Sequence, residues 1–123
     1  MLIVAAIIEE EGRFLLARRA PHKQDAGYWE FPGGKVEPRE TPQRALAREL
    51  MEEMEVETTI GHLFHEANCD GLDFQAYRAK IMVGRPCLKD HDSLAWVAPG
   101  QFGPYSMHSF DQEVASLLGK PTA

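Results

Sequence analysis

Three glutamates on one predicted helix, Glu49, Glu52 and Glu53, are the side chains of this sequence best placed to do chemistry. The helix is predicted to begin after Thr41, a good N-cap residue, with Pro42 at its first position. At about 100° per residue the three carboxylates fall on one face, which we expect to lie roughly opposite the buried face. Because like charges repel on a helix, a divalent cation bound there would turn the repulsion into coordination. A solvated acidic face is the alternative on this pattern alone.

A pair of glycines, Gly33 and Gly34, precedes the helix, and we expect them to form a loop. Glycine lets the backbone approach a ligand closely, and its carbonyl oxygen can coordinate a metal. The loop is not a P-loop, because Lys35 lacks a glycine six residues before it and Val36 stands where Ser or Thr would hold magnesium. Glycines and carboxylates together favour a cation site that handles phosphate.

The segment reads Gly34-x5-Glu40-x7-Arg48-Glu49-Leu50-x-Glu52-Glu53, followed by Met54, Glu55 and Val56. It resembles the Nudix box of the Nudix hydrolases, which ends in a glycine and an aliphatic residue. Glu55 replaces that glycine, which usually closes the helix in a left-handed conformation that costs another residue about 1 kcal/mol. The carboxylates lie before Glu55, so we expect the chemistry to survive the change.

Other segments extend the resemblance over most of the chain. "AGYWEFPGGKVE" and "LLARRA" resemble the MutT-like subgroup, which includes 8-oxo-dGTP diphosphatases and CTP pyrophosphohydrolases, and "HDSLAWVAP" and "SFDQEVASLL" are similar to later segments of the CTP-type members. The resemblance implies an α/β fold, a Nudix-type α/β/α sandwich with a mixed β-sheet and two main helices. We expect residues 1–123 to form a single domain.

The implied activity is metal-dependent hydrolysis of a nucleoside triphosphate to the monophosphate and diphosphate. CTP or dCTP, or an oxidised purine nucleotide such as 8-oxo-dGTP, is the expected substrate, and Mg²⁺ the expected cofactor, with Mn²⁺ as a substitute. One alternative is a Nudix hydrolase of another nucleoside diphosphate derivative, such as ADP-ribose or a dinucleoside polyphosphate. Another is a non-catalytic Nudix-fold nucleotide-binding module, although such modules commonly lose box carboxylates that are present here.

The resemblance also assigns roles to residues. Glu49, Glu52 and Glu53 are expected to bind metal together with the carbonyl of Gly33 or Gly34. Glu49 is also one candidate for the general base.

Asp90 is the other candidate base and a further candidate metal ligand. It lies six residues before Trp96, where MutT-like relatives carry a loop glutamate; a solvated loop residue without a role is the alternative. Arg48 is expected to pair with a box glutamate and orient it, and Glu40 to bond backbone near the glycines. The five histidines are taken as structural or surface residues, and only His91, beside Asp90, is singled out for testing.

Four residues are predicted to bind substrate: Arg19, Phe31, Lys35 and Asp111. Arg19 matches a family arginine that contacts substrate, whereas Phe31 and Asp111 match positions that line the base pocket. Lys35 either reaches a phosphate or is solvated. Asp111 either reads the base or stabilises the start of a helix.

Composition narrows the class of partner. The net charge of −6 argues against a nucleic-acid polymer but is compatible with a small nucleotide. The opening apolar run of eight residues is too short to span a membrane, and Cys69 and Cys87 match no zinc spacing. We therefore expect a cytoplasmic protein with free thiols, no membrane partner, and a monomeric or homodimeric state.

Strands and a second helix must position these residues. The pattern predicts a hairpin from residues 2–9 and 13–20, an aromatic strand at 28–31, two or three strands within 60–84, a polar loop at 89–93 and a strand at 94–99. The last helix is predicted to begin near Ser109, which has capping-box spacing to Gln112. It should end at Gly119, with Pro121 just beyond.

Overall fold

A computed structural model describes residues 1–119 of the chain, so Pro121 lies outside the described residues. Within residues 1–119 there are seven strands and two helices. In chain order they are β1 (Leu2–Glu10), β2 (Arg13–Arg19), β3 (Trp29–Glu30), β4 (Gly33–Lys35), α1 (Pro42–Met54), β5 (Glu57–Cys69), β6 (Leu72–Val83), β7 (His91–Val97) and α2 (Ser109–Leu118).

Strand β1 is the hub of a mixed sheet. It pairs in parallel with β6 and antiparallel with β4, while β5 and β6 form a long antiparallel hairpin. The predicted β1–β2 hairpin is present, but only Glu9 and Glu10 of β1 pair with β2. Strand β2 then continues between β3 and β7, antiparallel to both. This second group of strands carries two residues of the site described below.

Alternation along β1 divides the core into two layers, because successive side chains of a strand point to opposite faces. Val4, Ala6 and Ile8 pack with buried residues of α1, whereas Ala5 and Ile7 pack with buried residues of α2. The sheet therefore lies between the two helices. The predicted α/β/α sandwich with a mixed sheet is confirmed.

Helix α1 begins as predicted. Thr41 is its N-cap, and the Thr41 hydroxyl accepts a hydrogen bond from the backbone N–H of Arg44 at 3.1 Å. At the other end Glu55 adopts φ 57° and ψ 39°, the left-handed conformation, and its N–H donates to Met51 O at 3.0 Å. The helix thus keeps the chain direction that the usual glycine provides, with a glutamate in the strained position.

The expectation that the three carboxylates lie opposite the buried face holds for Glu52, whose side chain is 58% exposed, and is wrong for Glu49 and Glu53, whose side chains are 18% and 9% exposed. Glu53 is only 7% exposed and Ala45 is fully buried, whereas the apolar Met51 is 47% exposed. The apolar residues alone predict a buried face that includes Met51 and excludes Glu53, whereas the observed face is rotated towards Glu53. Its centre lies near Glu53, because this side of α1 covers β1 and β4.

Two predicted loops contain strands. Gly33–Lys35 pairs with Ile3–Ala5 of β1, so the two glycines belong to a short strand rather than to a loop. The sequence predicts a polar loop at 89–93, yet β7 already begins at His91. Both strands are stabilised by pairing with partners distant in sequence, which local polarity does not reveal.

The predicted capping box of the last helix is also wrong. His108 is the N-cap of α2 and makes no side-chain cap hydrogen bond, and Ser109 is the first helical residue. The Gln112 amide instead donates to Met107 O at 2.8 Å. Neither helix within residues 1–119 has the length and apolar character needed to cross a membrane.

Candidate active site

Arg48 is the hub of an ion-pair network on α1. Its Nε and Nη2 donate to the two carboxylate oxygens of Glu40 at 2.6 and 2.9 Å, and its Nη1 donates to Glu49 at 3.0 Å and to Glu52 at 3.2 Å. Nη2 also donates to Lys35 O at 3.1 Å, which ties α1 to β4. The planar fork of arginine suits this bidentate pairing.

Glu40 anchors the other end of the network. It accepts a hydrogen bond from the backbone N–H of Glu37 at 3.0 Å, in line with the predicted backbone role. Its hydrogen bond from Arg48, with that from Glu37, lowers the pKa of Glu40 to about 2. Because the Glu40 carboxylate stays ionised, it holds Arg48 where Arg48 can orient Glu49 and Glu52.

The surroundings of Glu53 raise its pKa, whereas those of Glu40 lower the pKa of Glu40. Burial raises the pKa of Glu53 to about 10, helped by a hydrogen bond with Glu49 and by the negative charges of Glu49, Glu30 and Asp90. Its side chain is 9% exposed, and no arginine or lysine pairs with it among the residues described. The carboxylates around Glu53 therefore have cations of their own, whereas Glu53 has none within residues 1–119.

Strands β3 and β7 bring two further residues to Glu53. Glu30 of β3 and His91 of β7 flank β2, and His91 Nε2 lies 2.8 Å from Glu30 Oε2. His91 Nδ1 lies 3.8 Å from Glu53 Oε1. Ligand atoms of Glu30, Glu53 and His91 all lie within 4.8 Å of one another, and they form the one such group within residues 1–119.

The predicted ligands Glu52 and Asp90 are more peripheral. The Glu52 side chain is 58% exposed and points to Arg48. Asp90 is 41% exposed and forms an ion pair with Lys23 at 2.9 Å, and the hydrogen bond from Lys23 lowers the pKa of Asp90. Asp90 is still close enough for its charge to act on Glu53.

A cleft of about 450 Å³ opens beside this cluster and collects the four predicted substrate residues, Arg19, Phe31, Lys35 and Asp111, with Gly33, Gly34 and Glu30. Arg19 Nη1 donates to Glu30 at 3.1 Å, which links the cleft to the buried cluster. Asp111 accepts a hydrogen bond from the Phe31 N–H at 3.1 Å, and burial raises the pKa of Asp111 to about 7.

The sequence matches a known protein family over almost its whole length. Residues 2–118 match the NUDIX domain family. The chain belongs to the Nudix family. It is 38% identical over 113 residues to the CTP pyrophosphohydrolase of Escherichia coli K12, covering 89% of this chain and 84% of that protein. It is 36% identical over 105 residues to the putative 8-oxo-dGTP diphosphatase 2 of Mycobacterium tuberculosis, covering 81% and 74% respectively.

The fold also matches solved structures of MutT proteins. The crystal structure of the MutT protein from Methanosarcina mazei Go1 superposes with a TM-score of 0.81 at 27% identity, over 96% of this chain and 91% of that one. The predicted MutT-like resemblance is therefore confirmed. This Nudix chain is a hydrolase acting on phosphorus anhydride bonds.

Nudix hydrolases act with a divalent metal, and the buried cluster fits one. Glu30, Glu49 and Glu53 offer carboxylate oxygens, the ligand type that Mg²⁺ prefers. Within residues 1–119 the buried His91 Nδ1 has no hydrogen-bond partner, and burial raises the pKa of Glu53 strongly. A cation bound among these groups would relieve both features, because it offsets the negative charge and accepts electron pairs.

The site contains two residues that sequence reasoning assigned no role. Glu30 lies in the predicted aromatic strand "YWEF", where no pattern points to a role, and the sequence singles out His91 only as a histidine to test. Their proximity depends on β3 and β7 both pairing with β2, where Glu30 lies opposite Ala17 and His91 opposite Arg19. The one available signal was the position of His91 directly after Asp90.

Proposed function

We propose that this Nudix hydrolase is a divalent-metal-dependent nucleoside triphosphate pyrophosphohydrolase, acting on CTP or dCTP or on oxidised purine nucleotides such as 8-oxo-dGTP. The observation that carries the proposal is the continuity between cleft and cluster. Glu30 lines the cleft, pairs with Arg19 and reaches Glu53 through His91. A nucleotide held in the cleft thus has its phosphates beside the buried carboxylates.

Glu49, Glu52, Glu53 and Asp90, with a carbonyl of Gly33 or Gly34, are the proposed metal ligands. When bound, Mg²⁺ supplies neutralisation of phosphate charge and activation of the attacking water, and Mn²⁺ is the proposed substitute. Arg48 orients Glu49 and Glu52 by its direct hydrogen bonds to both. The backbone of Gly34 lets the Glu49 carboxylate lie against β4.

Glu49 is the better supported of the two candidate bases. Lys23 lowers the pKa of Asp90, which makes Asp90 a weaker proton acceptor near neutral pH. Glu49 lies beside Glu53 within the cluster and is held by Arg48. We assign Glu49 the removal of a proton from the attacking water, with Asp90 as a peripheral ligand.

Binding of the nucleotide is proposed to involve the cleft residues. Arg19 and Lys35 carry the positive charge that we expect to bind phosphate. The buried Phe31 lies where we expect the base of the nucleotide to bind. The Asp111 carboxyl has a pKa of about 7, so it can accept a hydrogen bond from an amino group or, when protonated, donate one. It therefore suits the amino edge of cytosine or a guanine-type base.

The setting of the enzyme is also part of the proposal. Cys69 and Cys87 are both free, which agrees with a reducing compartment, and we place the protein in the cytoplasm. Its partner is a small nucleotide rather than a nucleic-acid polymer, given the net charge of −6. The active unit is a monomer or a homodimer.

A panel of canonical and oxidised nucleoside triphosphates, assayed for diphosphate release, tests the proposal. We expect release with Mg²⁺ or Mn²⁺, loss of activity in EDTA, and recovery when either ion is returned. Diphosphate release from a fully chelated sample is incompatible with the metal-dependent mechanism. Preference for ADP-ribose or a dinucleoside polyphosphate over every triphosphate would replace the proposed substrate class.

A further inference from the structure

His91 is not among the proposed metal ligands, although it lies in the centre of the site. Its side chain is 3% exposed, and strand β7 holds it opposite Arg19 of β2. A buried imidazole without access to water must satisfy both ring nitrogens inside the protein. Only one of them has a hydrogen-bond partner among the residues that the structure describes.

The hydrogen bond with Glu30 fixes which nitrogen carries the proton. His91 Nε2 lies 2.8 Å from Glu30 Oε2, and because a carboxylate accepts, Nε2 donates. In the neutral imidazole Nδ1 then presents a lone pair. This atom is buried and has no hydrogen-bond partner within the described chain. The carboxylate oxygen Glu53 Oε1 is 3.8 Å away, which is too far for a hydrogen bond.

The separation is short enough for the two atoms to bind one cation. With bonds of about 2.1 Å from the metal to nitrogen or oxygen, two ligand atoms lie at most about 4.2 Å apart. The distance between His91 Nδ1 and Glu53 Oε1 falls within that limit. Histidines that bind metal commonly donate the other ring N–H to a carboxylate, which fixes their orientation. Glu30 is that carboxylate here.

We propose that His91 Nδ1 and the Glu53 carboxylate bind the same divalent cation, and that Glu30 orients the imidazole. The inference rests on the proposed function and gives one of its metal positions a nitrogen ligand. Imidazole suits first-row transition ions, whereas Mg²⁺ prefers oxygen ligands and keeps several waters. This position therefore favours a transition ion over Mg²⁺, most strongly ions such as Fe²⁺ or Zn²⁺, and Mn²⁺, the weakest of the series for nitrogen, serves as the paramagnetic probe.

Pulsed electron paramagnetic resonance of the full chain loaded with Mn²⁺ tests the ligand directly. We expect nitrogen coupling to Mn²⁺ in the wild-type protein and its loss in His91→Asn, which keeps a polar group but removes the imidazole. His65→Asn is the matched control, because His65 Nε2 also pairs with a glutamate, Glu113, at 3.2 Å, away from the cluster. The control should keep the coupling.

Calorimetric titration supplies a second measurement. His91→Asn should weaken Mn²⁺ binding by about tenfold or more and Mg²⁺ binding by much less. If His91→Asn does not give the circular dichroism of a folded protein, the other four histidines are replaced together, and that variant must retain the nitrogen coupling. Absence of coupling in the wild-type protein, or coupling that persists in folded His91→Asn, overturns the inference.

The outcomes separate this inference from the proposed function. Wild-type protein that releases diphosphate with Mg²⁺ but shows no nitrogen coupling keeps the function and loses the His91 ligand. Protein that shows the coupling but hydrolyses no triphosphate keeps the ligand and loses the function. Equal loss of Mn²⁺ and Mg²⁺ affinity in His91→Asn overturns the selection of a transition ion.

Discussion

The carboxylate of Glu49 occupies the space that a side chain at Gly34 would need. A β-carbon built at Gly34 would lie 2.4 Å from Glu49 Cδ and 2.6 Å from Glu49 Oε2. The obstacle is the end of a flexible side chain, so Gly34→Ala should displace Glu49 while the fold persists. We expect triphosphate hydrolysis to fall by about a hundredfold or more, with little change in the urea unfolding midpoint. Activity near that of the wild type would contradict the position of Glu49 in the site.

Gly33→Ala is the matched comparison, because the obstacle there is backbone. A β-carbon at Gly33 would lie 1.9 Å from Val4 O, and the strand pairing of β4 with β1 prevents an easy shift. We expect a loss of about 3 kcal/mol or more in the free energy of unfolding, measured with urea. Similar stabilities of the two variants would show that the backbone at Gly33 can move.

Replacement of the box carboxylates tests their assignment as ligands. Glu52→Gln and Glu53→Gln should each lower turnover by about a hundredfold or more while circular dichroism stays that of the wild type. Glu52 is exposed and paired with Arg48, whereas Glu53 is buried, so the two changes act in different surroundings. Near-normal turnover in both variants would exclude the metal-ligand assignment.

The pH dependence of stability follows from the raised pKa of Glu53. In metal-free protein the pKa rises from 4.5 to about 10 because the group is buried beside other carboxylates. The contribution of Glu53 to the free energy of unfolding is fully present below the pKa of the unfolded state and is lost as pH rises through the pKa of the folded state. Between these two values the folded protein keeps a proton on Glu53 that the unfolded chain has released.

In EDTA, the free energy of unfolding measured with urea should therefore decline between about pH 5 and pH 9. Glu53→Gln should flatten that decline, because glutamine does not titrate. Saturating Mg²⁺ should reduce it in the wild-type protein, since the cation favours the ionised carboxylate. A decline of equal slope in Glu53→Gln would assign it to other groups.

Local patterns predicted the parts of this fold that local physics determines. Thr41 and Pro42 mark the start of α1 in the sequence itself, and the apolar run of β1 is long enough to read as a buried strand. The spacing from Gly34 through Arg48 to the glutamates likewise indicates the family. These features depend on residues close together in the sequence, so they need no tertiary information.

The rest of the site depends on pairing between distant strands. Glu30 and His91 meet only because β2 lies between β3 and β7, a relation that spans 61 residues. Strand β4 has three residues, too few for a periodic pattern, and it forms because β1 offers an edge. The apolar residues alone predict that Glu53 lies roughly opposite the buried side of α1, because their pattern takes no account of a carboxylate buried within the site.

Asp111 should determine which base is preferred. Its Oδ1 accepts a hydrogen bond from the Phe31 N–H. Asp111→Ala therefore removes the carboxylate proposed to contact the base and also leaves that N–H unpaired. Asp111→Asn keeps an acceptor for Phe31 while changing the groups shown to the base. We expect either variant to change the ratio of kcat/KM for CTP and 8-oxo-dGTP by about tenfold, with Mg²⁺ dependence unaltered. An unchanged ratio in both would remove the base-reading role.

Glu55 gives a prediction about stability rather than activity. It holds the left-handed φ of 57° at the end of α1, where a non-glycine residue is strained by roughly 1–2 kcal/mol. Glycine relieves that strain but adds freedom to the unfolded chain, so Glu55→Gly should gain about 0.5–1 kcal/mol. The Lys89–Glu55 ion pair at 3.2 Å is half-exposed and contributes little against this gain. Urea unfolding measures the difference, and Glu55→Ala, which removes the ion pair but keeps the strain, should show no gain. A gain of equal size in Glu55→Ala would attribute it to the lost side chain instead of the backbone.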